Sequence, residues 1–257
     1  MVSSKKSKTE RKAKAALVSR RSTPWAAIAA VLAVVLFAGG VFGYLFWRNR
    51  ASNERTAAVA AFIPSAANQD PSTRIPGVVV ATYQGGTHAR PDQRVAYDHS
   101  PPMGGAHDQF WAACTGVVYP RAVRSENLVH SLEHGAVWIA YNPDQVSGAA
   151  LDALTARVEG KPYTVMSPYP GLDRPISLQS WGHQLKLDTA GDPRIDQFIA
   201  ALRDNQYTHP ENGASCQALG PGQFDQDNPP PFDPTPPGPP GPKVLAVNAP
   251  PPDRGGK

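Results

Sequence analysis

The sequence holds no glycine-rich phosphate loop: its Gly85-Gly86 pair lacks the Lys-Ser/Thr that a nucleotide site needs. It has no G-x-S-x-G elbow, so a serine hydrolase of that kind has no visible nucleophile. Charged residues are few, at 18 %, but apolar residues reach 41 %, a balance that argues against wholesale disorder. Basic charge is scarcest where a nucleic-acid binder would need it. Residues 1–55 hold eleven Lys/Arg against two Glu, whereas the other 202 hold fourteen basic and nineteen acidic groups. The part able to fold is mildly acidic, so no nucleic-acid partner is expected. Only two cysteines occur, Cys114 and Cys216. Against these shortages stand 28 prolines in 257 residues, about twice the usual share, which implies one ordinary domain plus segments outside it.

Residues 26–47 (AAIAAVLAVVLFAGGVFGYLFW) carry no charge. As a helix they extend about 33 Å, enough for a hydrocarbon core of about 30 Å. Trp25 at one end and Tyr44 with Trp47 at the other suit the two interfaces. A cleaved signal peptide would have a shorter apolar stretch with a small-residue site close behind it. Here Arg48-Asn49-Arg50 follows at once, and Ala58-Val59-Ala60 lies too far downstream, so a retained anchor in the lipid bilayer is expected. Eight basic residues (Lys5, Lys6, Lys8, Arg11, Lys12, Lys14, Arg20 and Arg21) precede it and three (Arg48, Arg50 and Arg55) follow. That asymmetry places the N-terminus in the cytoplasm and the remainder outside the plasma membrane. Gly39 and Gly43 form a GxxxG pair through which two such helices can approach, so self-association is open.

The expected organisation is a basic cytoplasmic segment (1–25), a transmembrane helix (26–47), a juxtamembrane linker (48–73), an exported domain (74–219) and a tail (220–257). Within the domain, strands are expected over 78–83 (VVVATY), 136–141 (AVWIAY), 163–166, 176–181 and 183–187. Helices are expected over 125–134, stopped by Gly135, over 144–159, and after Asp192-Pro193, where Ile195, Phe198, Ile199 and Leu202 make one apolar face. This irregular order, with no βαβ repeat, predicts a compact two-layer α+β domain. Thirteen of the 38 tail residues are proline, which predicts a disordered, partly polyproline spacer.

In an oxidising compartment an isolated cysteine pair normally forms a disulfide, here Cys114–Cys216; a thiolate metal ligand is the alternative. The stretches Pro101-Pro102-Met103-Gly104-Gly105-Ala106-His107 and Asn127-Leu128-Val129-His130-Ser131-Leu132-Glu133-His134-Gly135 carry a resemblance. With Ser167-Pro168-Tyr169-Pro170-Gly171-Leu172, Trp181-Gly182 and Pro210-Glu211 through Cys216, they resemble the bacterial family called domain of unknown function 3105, over roughly residues 75–219. The resemblance implies a single-pass or lipid-anchored exported protein and carries over no established activity.

Three classes of function stay open: transition-metal binding, an inverted zinc peptidase, and a structural or accessory subunit of a membrane complex. His130-Ser131-Leu132-Glu133-His134 fits the H-x-x-E-H pattern, in which two histidines bind zinc and the glutamate is the base. That chemistry needs a long helix, and Gly135 stops this one, so the chain reads more as a binder than as an enzyme. Trp111, Trp138 and Trp181 read as core or interface aromatics, and Met103 beside His107 as packing. His88, His99, His183 and His209 are scattered and read as surface or hydrogen-bonded histidines. His130 and His134, four apart on a helix, present both rings on one face. His107, behind the Gly104-Gly105 turn, is the third ligand expected, with Glu133 and Glu126 orienting histidines from behind. Three imidazoles without a thiolate suit zinc or copper(II).

Overall fold

The computed structural model describes residues 24–251; most of the basic segment, residues 1–23, and the last six residues lie outside the described residues. Helix α1 (Trp25–Val59) contains the span Ile28–Arg50, with mean hydropathy 2.4, long and apolar enough to cross a membrane. Large apolar side chains such as Leu36, Phe37, Phe42 and Phe46 are exposed along it. The helix runs on through twelve residues of the expected linker, where Arg50 pairs with Glu54 one turn later at 3.0 Å.

From Thr56 onward the chain forms a second compact unit. Its strands are β1 (Val79–Val80), β2 (His88–Ala89), β3 (Arg94–Ala96), β4 (His107–Asp108), β5 (Thr115–Val118), β6 (Val137–Tyr141), β7 (Thr164–Pro168), β8 (Ile176–Ser180), β9 (His183–Leu187) and β10 (Val244–Ala246). Its helices are α2 (Ser125–Glu133), α3 (Gly148–Val158) and α4 (Arg194–Leu202). Six strands form one mixed sheet in the order β1-β9-β8-β6-β7-β5. Strands β5 and β6 flank β7 in parallel, and β6-β8-β9-β1 continue antiparallel.

Strand β6 shows why the class is α+β and where the layers lie. Val137, Ile139 and Tyr141 join one core with Leu154 and Val158 of α3 and with Ile195, Phe198 and Leu202 of α4. Trp138 and Ala140, pointing the other way, join a second core with Leu128, Val129 and Leu132 of α2. A strand buried on both faces reads as a continuous apolar run, which is what AVWIAY is. The sheet is therefore covered on both sides, giving three layers where two were expected. Just before α4, Asp192 Oδ1 accepts from the N–H of Arg194, the helix's first residue, at 2.9 Å.

Helix α2 is buried along its whole length despite the polar sequence SENLVHSLE. Buried polar groups need partners, and loop segments supply them. Asn127 donates to the Phe110 carbonyl at 2.7 Å and Ser131 to the Ala112 carbonyl at 2.7 Å. Glu126 accepts from the Val95 N–H at 3.0 Å and pairs with Arg124 at 3.4 Å. The polar face of α2 is thus the surface on which the loops carrying β2, β3 and β4 are laid.

The tail departs from the expected disorder over residues 220–251. Phe224 is fully buried against Tyr119, Arg94 holds Asp233 at 3.0 Å, and β10 pairs in parallel with β3. The Ala106 N–H donates to the Val247 carbonyl at 2.7 Å, and Thr87 donates to the Ala249 carbonyl at 2.8 Å. The approach is so close that a Cβ on Gly105 (φ +98°) would meet Val247 at 2.5 Å. The physical reason lies in Lys243-Val244-Leu245-Ala246-Val247-Asn248, a proline-free run that can both donate and accept backbone hydrogen bonds. Apolar anchors at Phe224 and Phe232 hold the proline segments between.

Candidate metal centre

Strands β2 and β4 pair in parallel with His88 opposite His107, so the two imidazoles leave the same face, with ring centres 5.0 Å apart. Helix α2 lies across them and brings His130 to 4.6 Å from the His107 ring and 5.4 Å from the His88 ring. Glu133, one turn beyond His130, reaches the same point, its Oε2 2.7 Å from His107 Nε2. One ligand atom from each of His88, His107, His130 and Glu133 lies within 4.8 Å of every other. Around an ion at about 2.0–2.1 Å, tetrahedral ligand atoms stand about 3.4 Å apart, so this group closes on an ion with small side-chain movements.

The hydrogen-bonding state of each ring fits ligation. His107 Nδ1 lies 2.8 Å from the Gly105 carbonyl and His130 Nδ1 2.6 Å from the Asp108 carbonyl. A carbonyl only accepts, so each Nδ1 carries the hydrogen and each ring turns its Nε2 inward. His107 Nε2 and Glu133 Oε2 are close but not aligned for a hydrogen bond, and neither has another partner. Both side chains are fully buried. A buried ring nitrogen and a buried carboxylate oxygen that face each other without an aligned hydrogen bond are atoms that a shared cation can bridge.

Electrostatics holds the set ready. Burial first, then the neighbouring His107 and His134 rings, pushes His130 down to about 2. Burial also depresses His88 and His134. For Glu133 burial acts upward, but the His107 ring and the Gly86 amide outweigh it, and the carboxyl stays below its usual range. The imidazoles and the Glu133 carboxylate form an N/O donor set that could hold a metal ion. The Gly86 N–H donates to Glu133 Oε1 at 2.7 Å, and a Cβ on Gly85 would come within 2.5 Å of that oxygen. The glycine pair thus cradles a carboxylate of the chain itself.

The three histidines expected from the sequence form a row. His130 stands between His107 and His134, with ring centres 4.6 Å away on each side. They do not form one ligand set. Among the described residues, His134 belongs to a second group with His130 and Glu211, whose ligand atoms also lie within 4.8 Å of one another. Glu133, expected to orient a histidine, has a carboxylate oxygen inside the first group. Glu126, expected to do the same, instead holds the Val95 N–H and Arg124. His88 was set aside as a surface histidine, yet it follows Gly85-Gly86 much as His107 follows Gly104-Gly105, which was the signal available. His99, His183 and His209 have local partners: Asp98 and Tyr83, Asp70 and the Trp181 carbonyl, and the Glu133 carbonyl. Met103, Trp138 and Trp181 are core residues, and Trp181 also lies 6.0 Å from His107, while the half-buried Trp111 lies 4.7 Å from His134. The disulfide Cys114–Cys216 is formed, and next to it His134 Nδ1 donates to the Ser215 carbonyl at 2.7 Å.

Fold and site together define a mixed helix-and-sheet domain with a largely buried histidine–glutamate cluster, exposed at His88 and Glu211. The family described as "Protein of unknown function (DUF3105)" matches residues 88–218, half of the chain, and the protein belongs to that family. The matched span contains every residue of both groups. No curated protein and no solved structure matches the chain.

Proposed function

We propose that this is a single-pass membrane protein, N-terminus in the cytoplasm, whose extracytoplasmic domain binds one zinc or copper(II) ion through His88, His107, His130 and Glu133. The observation that carries the reading is the facing pair His107 Nε2 and Glu133 Oε2, buried, 2.7 Å apart and otherwise unpartnered. The apolar span of α1 and the Lys/Arg asymmetry around it support the anchor and its orientation. Binding is favoured over peptidase chemistry because Glu133 is closed off from solvent and held by Gly86, and so is not free to activate water on an ion at His130 and His134. The full chain, purified in detergent and stripped with chelator, is titrated with zinc by calorimetry. One ion per chain, with affinity lost by about a hundredfold in Glu133→Gln, is expected. Failure of the wild-type chain to bind zinc or copper(II) stoichiometrically would reject the proposal.

A further inference from the structure

Both acidic residues of the two groups show the same arrangement. Glu133 Oε2 faces His107 Nε2 at 2.7 Å, and Glu211 Oε2 faces His134 Nε2 at 3.2 Å. In each case the histidine's Nδ1 hydrogen is already given to a backbone carbonyl, of Gly105 and of Ser215 respectively. At both places a ring whose Nδ1 is already committed turns its Nε2 toward a carboxylate oxygen, a pair of atoms that a metal ion can bridge.

The two places cannot be filled together. Both groups need His130, whose Nδ1 donates to the Asp108 carbonyl, so a single Nε2 lone pair is shared between them. Two ion positions that each lie about 2.0–2.1 Å from one nitrogen are at most about 4 Å apart. They also differ in access: Glu211 is 44 % exposed, whereas in the inner group only His88 is exposed and His107 and Glu133 are fully buried.

We propose that His130, His134 and Glu211 form an outer metal position through which an ion is loaded into, and released from, the inner group, with His130 as the ligand common to both. The ion keeps its charge and its bond to His130 Nε2 while His134 and Glu211 give way to His107, Glu133 and His88. No electron moves and no covalent bond breaks. On this inference, which rests on the inner site proposed above, the domain is built to exchange a divalent metal with its surroundings, and His134 and Glu211 govern the rate and not the final affinity.

The test uses full-length protein in detergent, with copper(II) as the probe. Loading is followed by quenching of tryptophan fluorescence, since Trp111 and Trp181 flank the row, and release is followed by transfer to excess chelator. The exposed Glu211 is replaced in Glu211→Ala. Removing a position on the path leaves the end point alone, so both rates are expected to fall by about tenfold or more while the ratio of rates, the equilibrium affinity, holds within about twofold. The wild-type chain is expected to take one ion. Unchanged rates in Glu211→Ala would mean that the ion passes directly by His88, and would overturn the inference. An equilibrium affinity lowered by the same substitution would make Glu211 a final ligand, and two ions per wild-type chain would mean His130 is not shared; either overturns it while leaving metal binding in place. A wild-type chain that takes up no copper rejects the inner site as well.

Discussion

The backbone N–H of Gly86 donates to Glu133 Oε1 at 2.7 Å and thereby aims the other carboxylate oxygen at His107. Gly85 permits this approach, because any Cβ there would lie 2.5 Å from Oε1 and 3.0 Å from the Pro210 ring. Gly85→Ala is expected to push the Glu133 carboxylate out of register and weaken zinc binding by about ten- to a hundredfold. The glutamate end is flexible, so the thermal unfolding of the metal-free protein should move by only a few degrees. Calorimetric titration beside a melt separates the two effects, and unchanged zinc affinity would contradict the role given to the glycine.

The disulfide Cys114–Cys216 links residues 102 apart, Cys114 standing just before β5, and the Cys114 N–H donates to the Cys216 carbonyl at 2.9 Å. In the chain-entropy account, closing a loop of that length stabilises the fold by about 4–5 kcal/mol. The double substitution of both cysteines by serine is expected to lower Tm by about 10–20 °C. Because Ser215 holds His134, the same variant should also slow copper loading. Equal melting curves for oxidised and reduced protein would show that the bridge carries no such load.

Much of the central sheet was legible because its signals are local. The run AVWIAY is a strand buried on both faces, Gly135 stops α2, and the spacing of Ile195, Phe198, Ile199 and Leu202 marks the buried face of α4. The site was legible only where its ligands share a helix. His130, Glu133 and His134 lie on one helical block, and the i, i+3 and i, i+4 spacings show in the letters. His88 showed only in its Gly-Gly turn and not in its placement, since β2 and β4 are two residues each and their pairing is a long-range event supported by α2 and the tail. Which of Glu133's neighbours its carboxylate would meet depended on that pairing. The covering of the second sheet face was hidden for a related reason: α2 looks too polar to be a buried helix until its partners in the loops are known.

The tail is expected to be part of the site's framework. Its Val247 and Ala249 carbonyls hold the residues just before His107 and His88, namely Ala106 and Thr87. A chain ending at residue 219 loses these bonds together with buried Phe224 and the β10–β3 pairing. Removal of a buried aromatic alone costs about 3–5 kcal/mol, so the truncated protein should melt markedly lower and bind zinc more weakly than the full chain. A truncated chain with full zinc affinity and an unchanged melt would show the tail to be a bystander.

Acid should destabilise the metal-free protein well before its carboxylates titrate. In the fold His130 is held near 2 by burial and by its imidazole neighbours, whereas in the unfolded chain it titrates at about 6.5. Between those values the unfolded state binds one more proton than the folded state, so stability is complete above about 6.5 and falls as pH drops, by about 1.4 kcal/mol per unit from this buried group. His88, His134 and His209 are depressed in the same direction, by burial first, and add to the slope over their own narrower windows. Asp70 and Asp98, whose lowered values reflect pairing with His183 and His99 against an opposing effect of burial, enter only near and below about 4. Denaturant unfolding in the presence of chelator at pH 7.5, 6.5 and 5.5 is expected to give nearly equal midpoints at the first two and a clear drop at the third. His130→Gln keeps a polar side chain of similar reach and removes the titrating group, so its loss between pH 6.5 and 5.5 should be smaller. A wild-type stability that stays level down to pH 5 would mean that His130 is free to take up a proton in the fold.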